Sequence, residues 1–352
     1  MNDNKLFVAS SPHVHSPFTT RRIMAYVIAA LAPAGLAGIY FFGFRSLIVI
    51  IACIAACVLS EYLWQKLMHQ ASSIKDLSAV VTGLLLAYNL PPTIPIWMAI
   101  CGSVFAIIIV KQFYGGIGCN IVNPALAARA MMLISWPIAM TTWTLNGVSG
   151  ATELAMMKLG TAAISQATAD PSAAAAAPDL FKMFIGNMPG CIGETSSLLL
   201  ILGGVFLIYK GIISWRIPVI YILTASILAP LFGHGSGSLI TVLYEIVTGG
   251  LLLGAFFMAT DYTTSPMYAQ GQIIFAFGCG LLTALIRTWG GYPEGVSFSI
   301  LIMNITVPLI DQYTKRRVLG EPKSKSKLKK LLKFKFKKEF KSELNTEKGA
   351  AK

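Results

Sequence analysis

Six ionisable side chains stand in, or at the edge of, long apolar stretches: Glu61, Lys111, Arg129, Glu245, Asp261 and Asp311. A charge buried away from water is costly unless it is paired, hydrogen-bonded or neutralised. A chain that keeps such groups among apolar residues therefore has a use for them. For a carboxylate the uses are passage of a proton or small cation, or a fixed ion pair between helices. Glu61 and Glu245 lie furthest from any polar break, and the sequence admits both uses for each. Lys111 and Arg129 have long stems that snorkel to an interface or pair with an acid. Asp261 closes a glycine-rich stretch, where capping and pairing are both open to it, and Asp311 precedes a basic tail and can face water. Glu61, Glu245, Asp261 and Asp311 are the candidate ion-path residues.

The cysteines are Cys53, Cys57, Cys101, Cys119, Cys191 and Cys279, and none stands in a CxxC pair. Most lie in apolar segments, where cysteine behaves as a small hydrophobe. No iron–sulfur or zinc site is expected in this chain alone. Cys119, beside Gly118 and Asn120, is the one position where a subunit interface could complete a site.

The surroundings of these groups are set by composition. Of 352 residues 55% are hydrophobic and 12% charged, about half the roughly 25% charge of a soluble domain. Lipid is the implied solvent, and a soluble enzyme is excluded. Apolar segments long enough for a hydrocarbon core of roughly 30 Å predict about ten transmembrane helices, at 23–42, 46–66, 77–90, 96–112, 122–140, 197–213, 216–232, 239–258, 272–288 and 296–313. The fold class is all-α integral membrane. Breaks at Gly43-Phe44-Arg45, Pro91-Pro92-Thr93 and residues 233–237 separate neighbouring spans. The polar opening residues carry no cleavable signal, so the first span is expected to act as its own anchor.

An even number of spans puts both termini on one side. Arg21 and Arg22 precede the first span, and residues 315–352 hold 15 of the 28 lysines and arginines, so most of the net charge of +13 is a tail property. Basic flanks stay inside, which makes both termini cytoplasmic. Lys66, Lys75, Lys111, Lys210 and Arg216 then fall on the same side. Within the tail Leu328, Leu331, Leu332, Phe336 and Phe340 share one helical face among lysines, a pattern for lying on anionic lipid. Retention inside already accounts for the lysines, so nucleic acid is not an expected partner. The longest break, residues 141–196, must lie outside.

The two halves echo each other. Val81-Thr82-Gly83-Leu84-Leu85-Leu86 returns as Val247-Thr248-Gly249-Gly250-Leu251-Leu252-Leu253, and Lys111-Gln112-Phe113-Tyr114-Gly115-Gly116 as Arg287-Thr288-Trp289-Gly290-Gly291. Five spans per half is odd, so the copies would cross the membrane in opposite directions, the inverted-repeat plan of many transporters.

The outer loop contains Asn146-Gly147-Val148-Ser149-Gly150-Ala151-Thr152-Glu153-Leu154. Ser149-Gly150-Ala151-Thr152 resembles the acceptor motif for covalent FMN in the Rnf and Na⁺-pumping NADH:quinone oxidoreductase families. The resemblance extends along the chain. It takes in Ser10-Ser11-Pro12-His13, Pro91-Pro92, Asn123-Pro124-Ala125, Gly193-Glu194-Thr195-Ser196, Thr260-Asp261, residues 290–295 and residues 304–311. It implies an Rnf-type D subunit with FMN joined through its phosphate to the Thr152 hydroxyl, next to Ser149, Gly150 and Ala151. Riboflavin is a second flavin that family members can hold. The family motif usually has Asp where Asn146 stands. A second pattern, Ile164-Ser165-Gln166-Ala167-Thr168, resembles a variant of the motif, and Thr152 is preferred because its flanks complete the pattern.

The spans, charges and internal echoes give a domain plan: a cytoplasmic segment 1–22, a membrane repeat 23–140, an outer loop 141–196 that the resemblance makes the flavin acceptor, a second repeat 197–313 and a basic cytoplasmic tail 314–352. The implied function is electron relay between reduced ferredoxin and NAD⁺ with Na⁺ or H⁺ translocation in a bacterial inner membrane. The implied partners are the A, B, C, E and G subunits, a flavin transferase and membrane lipid. The chain would be one component of a translocase with no catalytic residue of its own. Two other readings stay open: the B subunit of the Na⁺-translocating quinone reductase, and a channel or carrier for a small polar solute, similar to urea or ammonium transporters.

Overall fold

In the computed structural model, residues 19–145, 148–150, 180–186, 188–194, 196–233, 239–248, 250–291 and 295–315 are described. Their order is α1 Thr20–Phe42, α2 Phe44–Leu67, α3 Ser78–Tyr88, α4 Ile96–Val104, α5 Pro124–Ser135, α6 Pro137–Thr141, β1 Trp143–Leu145, β2 Val148–Gly150, α7 Leu180–Ile185, α8 Ser197–Tyr209, α9 Arg216–Leu231, α10 Leu239–Val247, α11 Leu251–Leu253, α12 Ala269–Trp289 and α13 Val296–Thr314. The chain up to Tyr313 forms one unit, separate from Thr314–Lys352.

Local chemistry sets the helix ends. Gly43, at φ +78°, stops α1 and begins α2, a backbone conformation that only glycine adopts without strain. Asn123 caps α5 by accepting from the Ala125 and Leu126 N–H groups, with Pro124 at the first helical position, where its missing N–H costs nothing. Two helices widen into π turns, α4 into Phe105–Gln112 and α11 into Gly254–Met258. Such turns concentrate at functional sites.

The described helices α1, α2, α12 and α13 are each long and apolar enough to cross a membrane, and five more apolar helices run 10–17 residues. Large apolar side chains such as Leu36, Ile51, Leu202, Ile227, Phe277 and Ile305 are exposed along the outside, as expected of a protein in lipid. The segment expected to span at 77–90 forms an 11-residue helix, which rises only about 16 Å, half a hydrocarbon core. Ten of its residues are buried. Sequence hydropathy cannot tell a buried core helix from a lipid-facing one. The segment at 239–258 is divided between α10 and α11 at Gly250, which has φ +66°.

Because α3 is enclosed, its neighbours approach closely. A Cβ on Gly83 would lie 2.8 Å from Ile54 Cα and 2.9 Å from the Cys53 carbonyl oxygen, so the backbones of α2 and α3 touch, in the manner of small-residue contacts between membrane helices. The loop expected outside, 141–196, begins with a two-stranded hairpin in which Thr144 opposes Ser149 and Trp143 opposes Gly150. It ends in a segment that re-enters the core: Ile192 N–H donates to the Leu90 carbonyl at 3.1 Å and Gly193 N–H to that of Tyr88 at 3.0 Å.

Candidate functional site

Glu61 and Glu245, the two fully buried carboxylates singled out in the apolar stretches, each meet a cation. Glu61, fully buried on α2, accepts from Lys111 Nζ at 2.8 Å. Lys111 comes from the π turn after α4 and also donates to Ser78 Oγ at 2.7 Å. Glu61 further accepts from Ser73 Oγ at 2.5 Å and Gln65 Nε2 at 3.2 Å.

Glu245, on α10, is bound by Arg287 of α12, and both are fully buried. The guanidinium also donates to the carbonyls of Glu245 at 2.9 Å and Thr248 at 3.1 Å. These carbonyls lie at the C-terminal end of α10, where helical partners run out. Arg287 thus caps α10 and compensates its acid together, as suits a planar donor fork. Sequence reading left Arg287 outside the set of ionisable candidates. The signal was present, since Arg287 occupies the place of Lys111 in the repeated motif.

A third cluster joins Arg129 and Glu194, 3.7 Å apart and both buried. Arg129 donates to Asn89 Oδ1 and Ser297 Oγ, each at 3.0 Å. It thereby connects α5 to the end of α3 and the start of α13. Asn304, on α13, makes the exchanged contacts. With its amide oriented to satisfy its neighbours, it donates to the Thr264 carbonyl at 3.1 Å and accepts from the Asn123 N–H at 3.2 Å. No periodicity in the sequence announces Asn89, Asn304 or the Glu194 pairing, because each depends on which helix ends converge.

Asp261 and Asp311 lie apart from these pairs. Asp261, half-buried after the second π turn, accepts from Thr263 Oγ1 at 2.9 Å and Thr264 Oγ1 at 3.3 Å. Burial pushes its carboxyl above the usual carboxylate range, opposed by bonds from Thr263, Thr264 and Asn120. Asp311 accepts from the Met267 N–H at 3.2 Å and so ties the Asp261 loop to α13. Of the expected flavin-acceptor residues, Ser149 and Gly150 stand on β2. Ala151, Thr152 and the alternative Thr168 lie outside the described residues.

A cavity of about 400 Å³ opens among α1, α3, α5, α8 and the second π turn. Its apolar walls include Met24, Val27, Leu85 and Phe256, and its polar groups include Lys111, Ser78, Asn120 and Asp261. The cavity therefore offers a small molecule apolar walls, hydrogen-bond donors, an acid and a cation.

A model of the NQR2, RnfD, RnfE family matches residues 7–320. The chain belongs to this family. It is 49% identical over 333 residues to the D subunit of the Na⁺-translocating ferredoxin:NAD⁺ oxidoreductase complex of Acetobacterium woodii, covering 94% of this chain and 100% of that protein. It is 47% identical over 321 residues to the D subunit of the proton-translocating ferredoxin:NAD⁺ oxidoreductase complex of Clostridium ljungdahlii, with 89% and 95% covered. Against the D subunit of the ion-translocating oxidoreductase complex of Escherichia coli O127:H6 the identity is 38% over 347 residues, with 90% and 99% covered. Family members of near-equal similarity to this chain are thus named for different ions.

Proposed function

We propose that this chain is the D subunit of an Rnf-type complex that passes electrons between reduced ferredoxin and NAD⁺ and couples this to Na⁺ or H⁺ movement. The observation that carries the reading is the end-to-end match to subunits so named, 49% identical and covering all of one relative. The family also includes NQR2 members, and the Rnf-type names of the similar relatives favour the D subunit over the quinone-reductase B subunit.

In this reading the chain is a multi-pass protein of the bacterial inner membrane with about ten spans in two inverted five-helix repeats. The exchanged contacts of Arg129 and Asn304 support the repeat: Arg129 of α5 reaches Ser297 at the start of α13, and Asn304 of α13 reaches Asn123 at the start of α5. Arg22 and Lys210 both approach the Tyr26 ring, at 6.0 and 5.9 Å. That suits a basic, aromatic cytoplasmic interface, with both termini inside and the flavin loop outside. Partners are the A, B, C, E and G subunits, lipid, and a flavin transferase during maturation.

FMN would be carried on the Thr152 hydroxyl. The motif begins on the β1–β2 hairpin, which holds Ser149 and Gly150 in regular extended backbone. Riboflavin suits the cavity, whose volume falls in the small-molecule range of about 300–1,000 Å³. Its ring would lie among Met24, Leu85, Phe256 and Phe257, with Asn120, Thr260 and Asp261 at polar edges. A bound flavin supplies one- and two-electron transfer, and the protein's part is to fix its place and tune its surroundings. Glu61, Glu245, Asp261 and Asp311 remain the residues through which ion movement would respond.

The deciding experiment is Thr152→Ala, with mass spectrometry of the 141–182 peptide and ultraviolet fluorescence of the denatured band. Thr152→Ala should remove the covalent flavin and Thr168→Ala should leave it. A non-fluorescent wild-type band, from cells with an active transferase, would favour the solute channel. FMN found on Thr168 would overturn the acceptor assignment.

A further inference from the structure

Building on the reading of the cavity as a flavin site, we propose that Glu61 and Lys111 form a proton relay from the surface segment after α2 to the ligand in that cavity. The relay is an unbroken series of hydrogen bonds. Gln65 Nε2 binds Ser73 Oγ at 2.6 Å, and Ser73 Oγ donates to Glu61 Oε1 at 2.5 Å. The other carboxylate oxygen, Oε2, accepts from Lys111 Nζ at 2.8 Å, and Lys111 Nζ donates onward to Ser78 Oγ at 2.7 Å. Lys111 and Ser78 both line the cavity. At the opposite end Ser73 is half-buried and residues 66–72 are exposed. The series therefore begins at the protein surface and ends at the cavity wall.

The second ion pair shows why the first is more than a lock. In the repeated motif Lys111 is replaced by Arg287, whose guanidinium keeps its proton in proteins. Two of the Arg287 contacts are to helix-end carbonyls, and Arg287 is not among the residues lining this cavity. An arginine meets the needs of a static pair. A lysine amine, by contrast, gains and loses a proton readily once removed from water. The cavity has the lysine version of the motif on its wall.

The titratable and charged groups around the relay come from four elements. Helix α2 contributes Glu61 and Cys57, the π turn after α4 contributes Lys111, and the loop after the second π turn places Asp261 on the cavity wall. At the surface end stand Lys66, at the end of α2, and Lys75 and Asp76, in the turn before α3.

The step balances within the chain and water. Electrons reach the ligand from reduced ferredoxin through the complex. One N–H bond of the Lys111 ammonium breaks as its proton passes to a basic atom of the ligand. Ser73 passes its hydroxyl proton to the Glu61 carboxylate and takes one from surface water, which leaves hydroxide outside. The carboxylic acid so formed gives a proton to the amine. The pair returns to ammonium and carboxylate, and one proton has left the aqueous side for each one delivered.

The test uses the whole complex with its native flavins, carrying Lys111→Arg, Glu61→Gln or Ser73→Ala. Acid release followed by fluorescence counts the non-covalent flavin. Rapid mixing with reduced ferredoxin then follows flavin absorbance across the neutral pH range, in water and heavy water. In the wild type, reduction should show a solvent isotope effect and slow as pH rises, since each proton delivered is drawn from the aqueous side. Counted per bound flavin, Lys111→Arg and Glu61→Gln should slow it by about 100-fold, the scale of a lost general acid. Ser73→Ala, which leaves the buried pair intact, should slow reprotonation and weaken the isotope effect. A wild-type complex with no non-covalent flavin overturns the cavity reading and the relay with it. Flavin present at full content, with wild-type rate and pH profile in Lys111→Arg, overturns the relay alone. Should that variant fail to assemble, an unchanged pH profile and isotope effect in Ser73→Ala overturn it.

Discussion

Replacing Arg287 by methionine separates two contributions that the structure assigns to one side chain. The first is charge compensation of Glu245, with both residues fully buried. Removing one partner of such a pair costs about 3–5 kcal/mol, because a buried carboxylate loses its cation. The second is the capping of the Glu245 and Thr248 carbonyls at the end of α10, each worth about 1–3 kcal/mol when a buried acceptor is left unmade. Together these approach the whole stability of an ordinary domain, about 5–15 kcal/mol. Arg287→Met should therefore melt far below the wild type in detergent. The double variant Arg287→Met with Glu245→Met removes the uncompensated acid but not the missing cap. It should recover about 3–5 kcal/mol and stay below the wild type. Thermal unfolding of the singles and the double gives the coupling energy directly. A double variant no more stable than Arg287→Met would refute the argument, since the carboxylate would then not be the source of the cost.

Two further predictions follow from the packing and from the cavity. Gly83→Ala should destabilise the protein by about 1–3 kcal/mol, the usual cost of overpacking. The new methyl group meets the α2 backbone, at Ile54 Cα and the Cys53 carbonyl, not a side chain able to turn away, and a melting temperature equal to wild type would contradict this contact. Asp261→Asn should raise stability at high pH and leave it nearly unchanged at low pH. The folded state raises the Asp261 pKa, so folding is penalised once pH exceeds the unfolded value and most fully above the folded value. Melting curves at the two extremes measure the difference, and an equal shift at both would show that the carboxyl's ionisation is not the cause.

Much of the architecture follows from residue order alone. Apolar run lengths and glycine and proline breaks carry short-range information, and helix falls within each of the ten expected segments, four of the described helices being long and apolar enough to span a membrane. The repeated Lys111 and Arg287 motifs were likewise legible, because they are contiguous strings. Period and length could not tell that α3 is enclosed by other helices, since lipid and a protein core are equally apolar surroundings. Nor could they join Glu245 to Arg287 or bring Asn89, Arg129, Glu194 and Ser297 to one point. Those contacts cross 40 to 168 residues of chain. Burial makes their pairing obligatory, but only the packed helices determine which partners are within reach.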